Sequence, residues 1–298
     1  MSLVSLKEML TRATEEGYAI GAFNILNHLT AKAVIDTCEK LNSPVIIQMS
    51  VKTVKQIGIK TTVDTILPLL TYAKIPTTLH LDHCTDYDFA KACIDAGFPS
   101  IMIDASKKNL DENIRITKEM KAYGTFKKVD IEGELGAIVG VEEEIVVASD
   151  EGRLADVDSS ERYVRETGVD AFAPAIGTAH GIYKGEPIID FDRFAEIKVV
   201  TAGVPLVVHG GTGLASEVFK RLMAMGGAKI NISTAIKIAY LSSIKEFFEN
   251  NPKVSEPLQL DAYITDAVSK TVKDHITLFE SVGKAWSQYV KLYTKLLM

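Results

Sequence analysis

Three histidines are the residues of this chain whose type and position best suit chemistry. His83, His180 and His209 each follow a short apolar run of the kind that forms a β-strand. A single histidine in such a place is usually a buried structural residue, but side chains at the ends of several strands can converge on one cavity. Imidazole is a common zinc ligand, and three protein ligands with an open fourth position make a catalytic zinc site. The three positions together predict a metal site built from distant segments.

Carboxylates accompany these histidines. Asp82 precedes His83 and is expected to reach a metal-bound substrate rather than the metal, which suits a general acid or base. Asp104 and Glu134 follow the fourth and fifth predicted strands, where they are expected to orient the ligands or to contact the metal directly. A structural capping role is the alternative for both. Glu142 is a candidate for a second proton-transferring group, although the acidic run that it opens is equally typical of a solvated surface.

The geometry of an extended strand argues against two further residues near His83 as metal ligands. Cys84 is its direct neighbour, and adjacent side chains of a strand point to opposite faces. His80 lies three residues away, an odd number, and is therefore expected on the opposite face as well. Neither residue is predicted to be a ligand.

A phosphate site is predicted beside the metal site. Gly210, Gly211 and Thr212 follow the seventh predicted strand, and Asn231, Ser233 and Thr234 follow the eighth. Loops at these places commonly bind phosphate through backbone N–H groups and hydroxyls near a helix start. The alternative for the glycines is a tight turn that needs positive φ. Further polar residues at the strand ends are Asn24 and Ser50. Lys184, four residues after His180, could add a positive charge and is equally well explained as a solvated loop residue.

The elements that must position these residues are predicted by hydrophobic periodicity. Apolar, β-branched runs alternate with segments of helical spacing, which is the pattern of parallel strands joined by crossover helices. Eight such runs in 298 residues favour an α/β fold, a (β/α)8 TIM barrel, in one domain over residues 1–298. The predicted strands are Ala19–Phe23, Val45–Met49, Thr77–Leu81, Ile101–Ile103, Val129–Ile131, Ala171–Ala175, Leu206–Val208 and Lys229–Ile232. The predicted helices are Leu29–Leu41, Thr62–Ala73, Asp86–Ala96, Leu110–Ala122 and Ser159–Thr167.

Two stretches fall outside this repeat. Gly136–Asp158 is long, acidic and punctuated by glycine, and a loop of that length is expected to be a mobile lid. The chain beyond Pro257 becomes helical again, with Ala262–Glu280 and Trp286–Met298 forming a C-terminal helical extension that could contact another subunit.

Composition excludes several classes of function. The net charge of −6 and the absence of a Lys/Arg cluster argue against nucleic acid as a partner. No apolar stretch is long enough to span a bilayer, and the start has no signal-peptide layout. Three cysteines without paired spacing argue against disulfides. A cytoplasmic protein without membrane partners is expected.

Five motifs occur in one order along the chain, and together they resemble the class II, metal-dependent aldolase family. The chain is similar to the fructose-bisphosphate and tagatose-bisphosphate aldolases from Gly21 to Ala285. The motifs are Asp82-His83, Glu132-Gly133-Glu134-Leu135-Gly136, Gly177-Thr178-Ala179-His180-Gly181, His209-Gly210-Gly211-Thr212-Gly213 and Asn231-Ile232-Ser233-Thr234.

The resemblance implies a zinc-dependent lyase of carbohydrate metabolism. Zn²⁺ would be held by His83, His180 and His209 and would polarise the C2 carbonyl of a ketose 1-phosphate. Asp82 would take the proton of the C4 hydroxyl as the C3–C4 bond breaks, and Glu142 would return a proton to the enediolate of dihydroxyacetone phosphate.

The resemblance also implies how the substrate is held and how the chain assembles. The phosphate would be bound by Gly181, Lys184, Gly210, Gly211, Thr212, Ser233 and Thr234, with Asn24, Ser50 and Asn231 near the reacting end. A monovalent cation, Na⁺ or K⁺, would lie near the phosphate. Members of the family form homodimers or homotetramers.

The chain departs from the family at the far end of the substrate. Ala235 stands where many members have an acidic residue, and Ser233 where Asp is common. The run Glu256-Pro257-Leu258 stands where Asp/Glu-Pro-Arg is usual, and a leucine cannot bind a second phosphate. The default substrate is fructose 1,6-bisphosphate. Tagatose 1,6-bisphosphate, or a ketose 1-phosphate without a second phosphate, is the alternative.

Three other readings stay open. A Schiff-base aldolase needs a lysine at the C-terminal end of a strand, whereas Lys229 begins the eighth predicted strand. A zinc hydrolase could use the same three histidines and a carboxylate to activate water. A non-catalytic barrel subunit is the remote alternative, against which the complete ligand set argues.

Overall fold

Eight parallel strands form a closed barrel in the computed structural model, which describes residues 3–142, 145–147, 152–183 and 185–286. The barrel strands are β1 Ile20–Asn24, β2 Val45–Ser50, β3 Thr77–Cys84, β4 Ser100–Ile103, β5 Asp130–Leu135, β8 Ala171–Pro174, β10 Leu206–Val208 and β11 Gly227–Ile232. Neighbouring strands follow the order β1-β11-β10-β8-β5-β4-β3-β2, and the pairing of Ile20 with Lys229 closes the ring. The predicted (β/α)8 TIM barrel is confirmed.

Helices surround the barrel and join its strands. Apart from the first helix, each contributes apolar residues to the main core, which lies between the helices and the strands. The helices that the structure describes are α1 Leu6–Glu16, α2 His28–Lys40, α3 Val51–Ile57, α4 Ile59–Tyr72, α5 Tyr87–Ala96, α6 Leu110–Lys127, α7 Val157–Thr167, α8 Phe191–Val200, α9 Ser216–Ala224, α10 Thr234–Asn250 and α11 Pro257–Leu278. Five of these described helices, α1, α3, α8, α9 and α10, have no counterpart among the predicted helices.

The first helix closes the N-terminal mouth of the barrel. Leu6, Met9 and Leu10 of α1 repeat at helical spacing and are fully buried. They form a second apolar cluster with inward-facing strand residues such as Ala22 and Val207. Because this end is filled with apolar side chains, the polar site must lie toward the opposite, C-terminal end of the strands.

The third strand contains a β-bulge at the C-terminal end of the barrel. Leu81 pairs with Ile101 and Cys84 with Ile103, so three steps along β3 match two along β4. His83 lies at this irregularity with a φ of 45°, in the left-handed region that residues other than glycine rarely adopt. A bulge re-aims the side chains that follow it, and bulges are common beside active sites.

The stretch predicted as a lid is partly extended. Its two strands, β6 Val139–Glu142 and β7 Ile145–Val147, pair in antiparallel fashion, and β6 also pairs in parallel with β9, Ala179–His180. The purely loop-like stretch expected there is therefore wrong for these residues. Residues 143, 144 and 148–151 lie outside the described part of the chain, and the mobility of the lid stays a prediction.

The predicted helical extension corresponds to α11 over most of its length. This helix starts earlier than expected because the carboxylate of Glu256 accepts a hydrogen bond from the N–H of Leu258 at 3.0 Å, and Pro257 takes the first helical position. It packs on α2 and α10 through residues such as Val268 and Val272. Of the predicted segment Trp286–Met298, residues 287–298 lie outside the described residues.

No helix in the described part of the chain is long and apolar enough to cross a membrane. The single-domain organisation over residues 1–298 stays a prediction.

Candidate active site

The three predicted histidines meet at the C-terminal end of the barrel. The ring centroids of His83 and His209 are 4.6 Å apart, those of His83 and His180 are 5.0 Å apart, and those of His180 and His209 are 5.9 Å apart. One nitrogen from each ring can be chosen so that all three lie within 4.8 Å of one another. All three side chains are buried. This is a cluster that three distant segments of the sequence bring together.

The bulge in β3 explains why two consecutive residues can both serve the site. Asp82 and His83 would point to opposite faces of a regular strand, yet Asp82 is hydrogen-bonded to groups inside the barrel and His83 to a carboxylate of the same rim. The extra residue and the left-handed backbone of His83 turn its ring toward the other histidines. The expectation that His80 lies on the opposite face from His83 is wrong for the same reason, since both contact glutamates of β5.

His180 lies on β9, which pairs with β6 in a small sheet outside the barrel. Gly140 of β6 pairs with His180 of β9, and a Cβ at position 140 would lie 2.3 Å from the carbonyl oxygen of His180. Gly140 also has a φ of 115°. Only glycine therefore allows this close approach.

His209 is tied to the segment of His180 by two contacts. Gly210 has a φ of 71°, and a Cβ there would lie 2.4 Å from the carbonyl oxygen of Ala179. The hydroxyl of Tyr183 accepts a hydrogen bond from the N–H of Ala179 at 3.0 Å and donates one to the carbonyl of Gly210 at 2.8 Å. Tyr183 thus fixes the spacing of two histidine-bearing segments, and nothing in the sequence pattern singles it out.

Each ring presents one buried nitrogen to the centre of the cluster. Nδ1 of His83 is bound to Asp104 Oδ2 at 2.9 Å and Nε2 of His209 to Glu132 Oε1 at 3.0 Å. Among the described residues, the buried ring nitrogens that make no hydrogen bond include Nε2 of His83 and Nδ1 of His209 in the cluster, and Nε2 of His80 in the layer beneath it. Buried nitrogens left in this way are costly unless something binds them. The donor set fits a zinc ion, since histidine ligands usually hold a carboxylate with their second nitrogen.

A second group of possible ligands lies directly beside the first. His83, Asp104 and Glu134 also offer atoms within 4.8 Å of one another, as the sequence predicts for an alternative metal contact. Glu134 Oε2 lies 3.1 Å from Nδ1 of His209, in a direction unsuited to a hydrogen bond. Burial and the charge of Asp104 raise the pKa of Glu134. A cation in this place would relieve the repulsion between the two carboxylates.

A charged layer that the sequence does not predict lies beneath the histidines. Lys229 Nζ is 2.9 Å from Glu132 Oε2, and His80 Nε2 is 3.5 Å from the same oxygen. All three side chains are fully buried. The only signal in the sequence is their occurrence as charged or polar residues within apolar strands. Lys229 points into the barrel rather than marking its far end.

The carboxylate of Asp82 is oriented by side-chain amides. Asn24 Nδ2 donates to Asp82 Oδ2 at 2.9 Å, and Asn231 Nδ2 lies 3.4 Å from Oδ1. Gln48 Nε2 in turn donates to Asn24 Oδ1 at 2.9 Å. Gln48 was not predicted, although it shares a strand face with Ser50.

The electrostatics separate the roles of these groups. Burial would raise the pKa of Asp82, but the charges of His83 and Lys229 lower it below its ordinary value, so the carboxylate is ionised. Burial and the charges of His83 and His209 hold the pKa of His180 well below its usual range, so its ring is neutral. An ionised carboxylate beside neutral imidazole is suited to proton transfer next to a metal.

The residues predicted to bind phosphate border the same rim. The hydroxyl of Ser233 is buried and makes no hydrogen bond to any described residue, and Thr234 begins α10. Thr212 Oγ1 accepts from the N–H of Ala235 at 3.2 Å. The N–H of Gly211 donates to the carbonyl of Asn231 at 3.2 Å, so it is not available to a phosphate. The absence of a side chain at Gly211 lets its backbone lie close to that of Asn231. Gly181 follows His180 directly with a φ of 94°.

The remaining predicted residues have different surroundings. Ser50 is the N-cap of α3, where its hydroxyl accepts from the N–H of Thr53 at 3.2 Å. Cys84 is buried, and its thiol donates to the carbonyl of Asp86. Leu258 is 70% exposed at the start of α11. The backbone of Glu142 belongs to β6, but its side chain lies outside what the structure describes, as does the whole of Lys184.

Comparison with known proteins matches the chain along nearly its whole length. The model of the family described as fructose-bisphosphate aldolase class-II matches residues 4–284. The chain is similar to the fructose-bisphosphate aldolase of Geobacillus stearothermophilus, with 40% identity over 289 residues that cover 96% of this chain and 99% of that protein.

Two further similarities bear on the substrate and the fold. The 6-phospho-5-dehydro-2-deoxy-D-gluconate aldolase of Bacillus licheniformis is also 40% identical, over 291 residues that cover 96% of this chain and 97% of that protein. The crystal structure of the YdjI aldolase of Escherichia coli K12 superposes with a TM-score of 0.85 at 31% identity, covering 95% of this chain and 100% of that one.

Proposed function

Because the chain belongs to the class II fructose-bisphosphate aldolase family, we propose that it is a zinc-dependent aldolase that cleaves a ketose phosphate to dihydroxyacetone phosphate and an aldehyde. Membership of the family makes it an aldolase and a lyase; the zinc and the substrate are the proposal. The observation that carries the proposal is the convergence of three buried histidines, His83, His180 and His209, whose ligand nitrogens lie within 4.8 Å of one another.

The first substrate to consider is fructose 1,6-bisphosphate, which is supported by the relative from Geobacillus stearothermophilus. A ketose phosphate without a second phosphate is the second candidate. It is supported by the equally similar aldolase from Bacillus licheniformis, whose named substrate has one phosphate next to its keto carbon. Exposed Leu258 favours this candidate, because it stands where an arginine would be needed for a second phosphate.

Asp82 is the group proposed to start cleavage. A bound zinc ion would polarise the C2 carbonyl, which lets that end of the substrate accept the electron pair of the C3–C4 bond. Asp82 accepts the proton of the C4 hydroxyl while the C4–O bond becomes the carbonyl of the departing aldehyde. Its low pKa keeps it ionised, and Asn24 of β1, two strands away in the barrel, donates a hydrogen bond to its Oδ2.

Glu142 is proposed to complete the proton balance. Once the aldehyde has left, the remaining three-carbon unit carries the electron pair at C3 and needs one proton there. Glu142 supplies that proton, and Asp82 later loses the one that it gained. In the direction of condensation the two residues exchange roles, with Glu142 as base and Asp82 as acid.

Binding of the phosphate is assigned to the loops after β8, β10 and β11. Ser233 contributes a buried hydroxyl with spare hydrogen-bonding capacity, and Thr212 and Thr234 stand at the same helix start. The positive end of the α10 dipole adds attraction for an anion. Gly181, Gly210 and Lys184 complete the proposed site, with a monovalent cation nearby.

The proposal is tested by a cleavage screen of ketose 1-phosphates and 1,6-bisphosphates on the purified chain, with and without a chelator. We expect cleavage of at least one of them, loss on chelation and recovery on adding zinc. Inactivation by borohydride in the presence of substrate, with turnover that resists chelation, would instead support a Schiff-base enzyme. Stoichiometric zinc without cleavage of any substrate would support a non-catalytic subunit.

A proton-exchange measurement separates the aldolase from a zinc hydrolase. An aldolase exchanges the C3 protons of dihydroxyacetone phosphate with solvent, and Glu142→Ala should abolish that exchange. A hydrolase releases inorganic phosphate and gives no exchange.

The chain is proposed to form a homodimer or homotetramer in the cytoplasm, as its resemblance to the family implies. Light scattering of the purified protein measures the first of these.

A further inference from the structure

Lys229 is one of the largest fully buried side chains of the molecule, and it lies inside the barrel rather than on its surface. Its ammonium contacts both oxygens of Glu132, at 2.9 Å for Oε2 and 3.3 Å for Oε1. Glu132 is also fully buried. A buried ion pair is weak evidence for stability, because well-packed apolar residues of the same volume often serve as well. The proposed chemistry gives neither residue a role.

The pair reaches the histidine cluster through one hydrogen bond. Nε2 of His209 is 3.0 Å from Glu132 Oε1, the oxygen that Lys229 also contacts at 3.3 Å. Because a carboxylate accepts hydrogen bonds, Nε2 of His209 carries the proton in this contact. Nδ1 lies 3.1 Å from Glu134 Oε2, in a direction unsuited to a hydrogen bond, and is the nitrogen left to offer a lone pair to a metal.

His83 is hydrogen-bonded through the other ring nitrogen, Nδ1. Its Nδ1 is bound to Asp104 at 2.9 Å, and its Nε2 is the nitrogen left without a hydrogen bond. The two rings therefore present different nitrogens, and a flipped His209 would leave the cluster without its third donor. The choice of nitrogen is made by the carboxylate behind each ring.

Lys229 is the cation that keeps Glu132 in this role. His80 also lies near Glu132, with Nε2 3.5 Å from Oε2. Burial and the charge of Lys229 lower the pKa of His80 to about 3, so it brings no charge at neutral pH. Ser100 occupies its other nitrogen. Among the described residues that contact Glu132, Lys229 is the only lysine or arginine.

We infer that Lys229 and Glu132 are positioning residues of the metal site: the ammonium fixes the carboxylate, and the carboxylate fixes His209 with Nδ1 toward the metal. The inference rests on the zinc site of the proposed function.

The test measures zinc affinity by competition with a chelator for the wild type, Glu132→Gln and Lys229→Met. We expect the zinc Kd to rise roughly 10- to 100-fold in both variants. Lys121→Met is the matched control. It removes a lysine from the ion pair with Asp170, which lies just before β8 at the other end of the barrel. Its zinc Kd should equal that of the wild type.

The double replacement Glu132→Leu with Lys229→Met keeps the test valid if a single variant fails to fold, because it removes both charges together and restores an apolar layer. It should bind zinc as weakly as the single variants. Wild-type affinity in this variant would overturn the inference. Failure of the wild type itself to bind zinc would instead overturn the proposed function, so the two failures are distinguishable.

A spectroscopic measurement adds a readout that a loss of packing would not change. Long-range ¹H–¹⁵N spectra of the metal-free protein report which ring nitrogen carries the proton, and comparison with His209→Gln identifies the signal. We expect the Nε2–H form of His209 in the wild type and in Lys121→Met, and a mixture of both forms in the Glu132→Leu/Lys229→Met variant. Retention of the Nε2–H form in that variant would show that the pair does not set the ring.

Discussion

The amide of Asn24 donates to Asp82 across the interior of the barrel, with 2.9 Å between Nδ2 and Oδ2. Gln48 fixes the same amide from the other side through its bond to Asn24 Oδ1. The amide group therefore cannot flip without breaking two hydrogen bonds. The proposed proton acceptor is thus held in one orientation by groups that carry no charge, so its own charge stays available for the substrate.

Replacing Asn24 by alanine should lower kcat for aldol cleavage. A hydrogen bond to a charged group contributes about 1.5 to 3 kcal/mol, which corresponds to a loss of roughly 10- to 150-fold if the bond is needed in the transition state. Steady-state kinetics on the best substrate of the screen measures it. Asn27→Ala is the matched control, because Asn27 caps α2 in the same loop. That variant should lose about 1 kcal/mol of stability and keep its kcat; equal losses of kcat in both would contradict the role of Asn24.

Replacing Gly140 by alanine should damage the site without replacing any proposed ligand. The new Cβ would lie 2.3 Å from the carbonyl oxygen of His180, so β6 and β9 must move apart. A misplacement of about 1 Å beside reacting groups can cost about 100-fold in kcat/KM. Gly168→Ala is the control, since Gly168 has a positive φ of 66° but open space around it. It should lower the Tm and leave kcat/KM unchanged. Unchanged activity in Gly140→Ala would mean that this strand pairing is dispensable.

Replacing Leu258 by arginine should favour substrates with two phosphates. The exposed position allows a guanidinium to reach an anion, and one new bidentate contact corresponds to about tenfold in kcat/KM. The ratio of kcat/KM for fructose 1,6-bisphosphate to that for a ketose 1-phosphate measures the change. Leu241→Arg, at another exposed leucine on α10, is the control and should leave the ratio unchanged. No change in Leu258→Arg would count against a role of this position in the far end of the substrate.

The thiol of Cys84 should be inert at neutral pH. Burial raises its pKa to about 11, so at pH 8 only about one thiol in a thousand is ionised. Because the thiolate is the reactive form, the rate of alkylation by iodoacetamide should be very low at pH 8 and rise about tenfold per pH unit below pH 11. Mass spectrometry of the modified peptide measures it. Cys84→Ala should bind zinc within about twofold of wild type; loss of zinc would make Cys84 a ligand.

The fold and the position of the site could be predicted because they depend on local periodicity, which the sequence shows directly. The apolar strands alternate with helices, and the ends of parallel strands meet at one rim, so the meeting of His83, His180 and His209 could be predicted. The helices α8, α9 and α10 have no counterpart among the predicted helices. The helix α1 precedes the first strand and therefore lies outside the repeat of strand and helix that predicts the barrel.

What could not be predicted depends on backbone irregularity and on burial. The bulge in β3 overturns the alternation that placed His80 on the opposite face from His83. Glu132 and Lys229 are charged residues within apolar runs, and only the closed ring places them opposite each other. Tyr183 gains its role from a contact with Gly210, 27 positions away, which periodicity does not encode.

The bulge at Asp82 and His83 also limits how this site could be transferred to another protein. A designer who grafts the three histidines and the aspartate onto a regular eight-stranded barrel would obtain two side chains pointing in opposite directions at the end of the third strand. The extra residue and the left-handed backbone at His83 must be copied with them. A transferred site therefore needs the distorted end of the third strand as well as the side chains, because the residue identities alone do not reproduce the geometry.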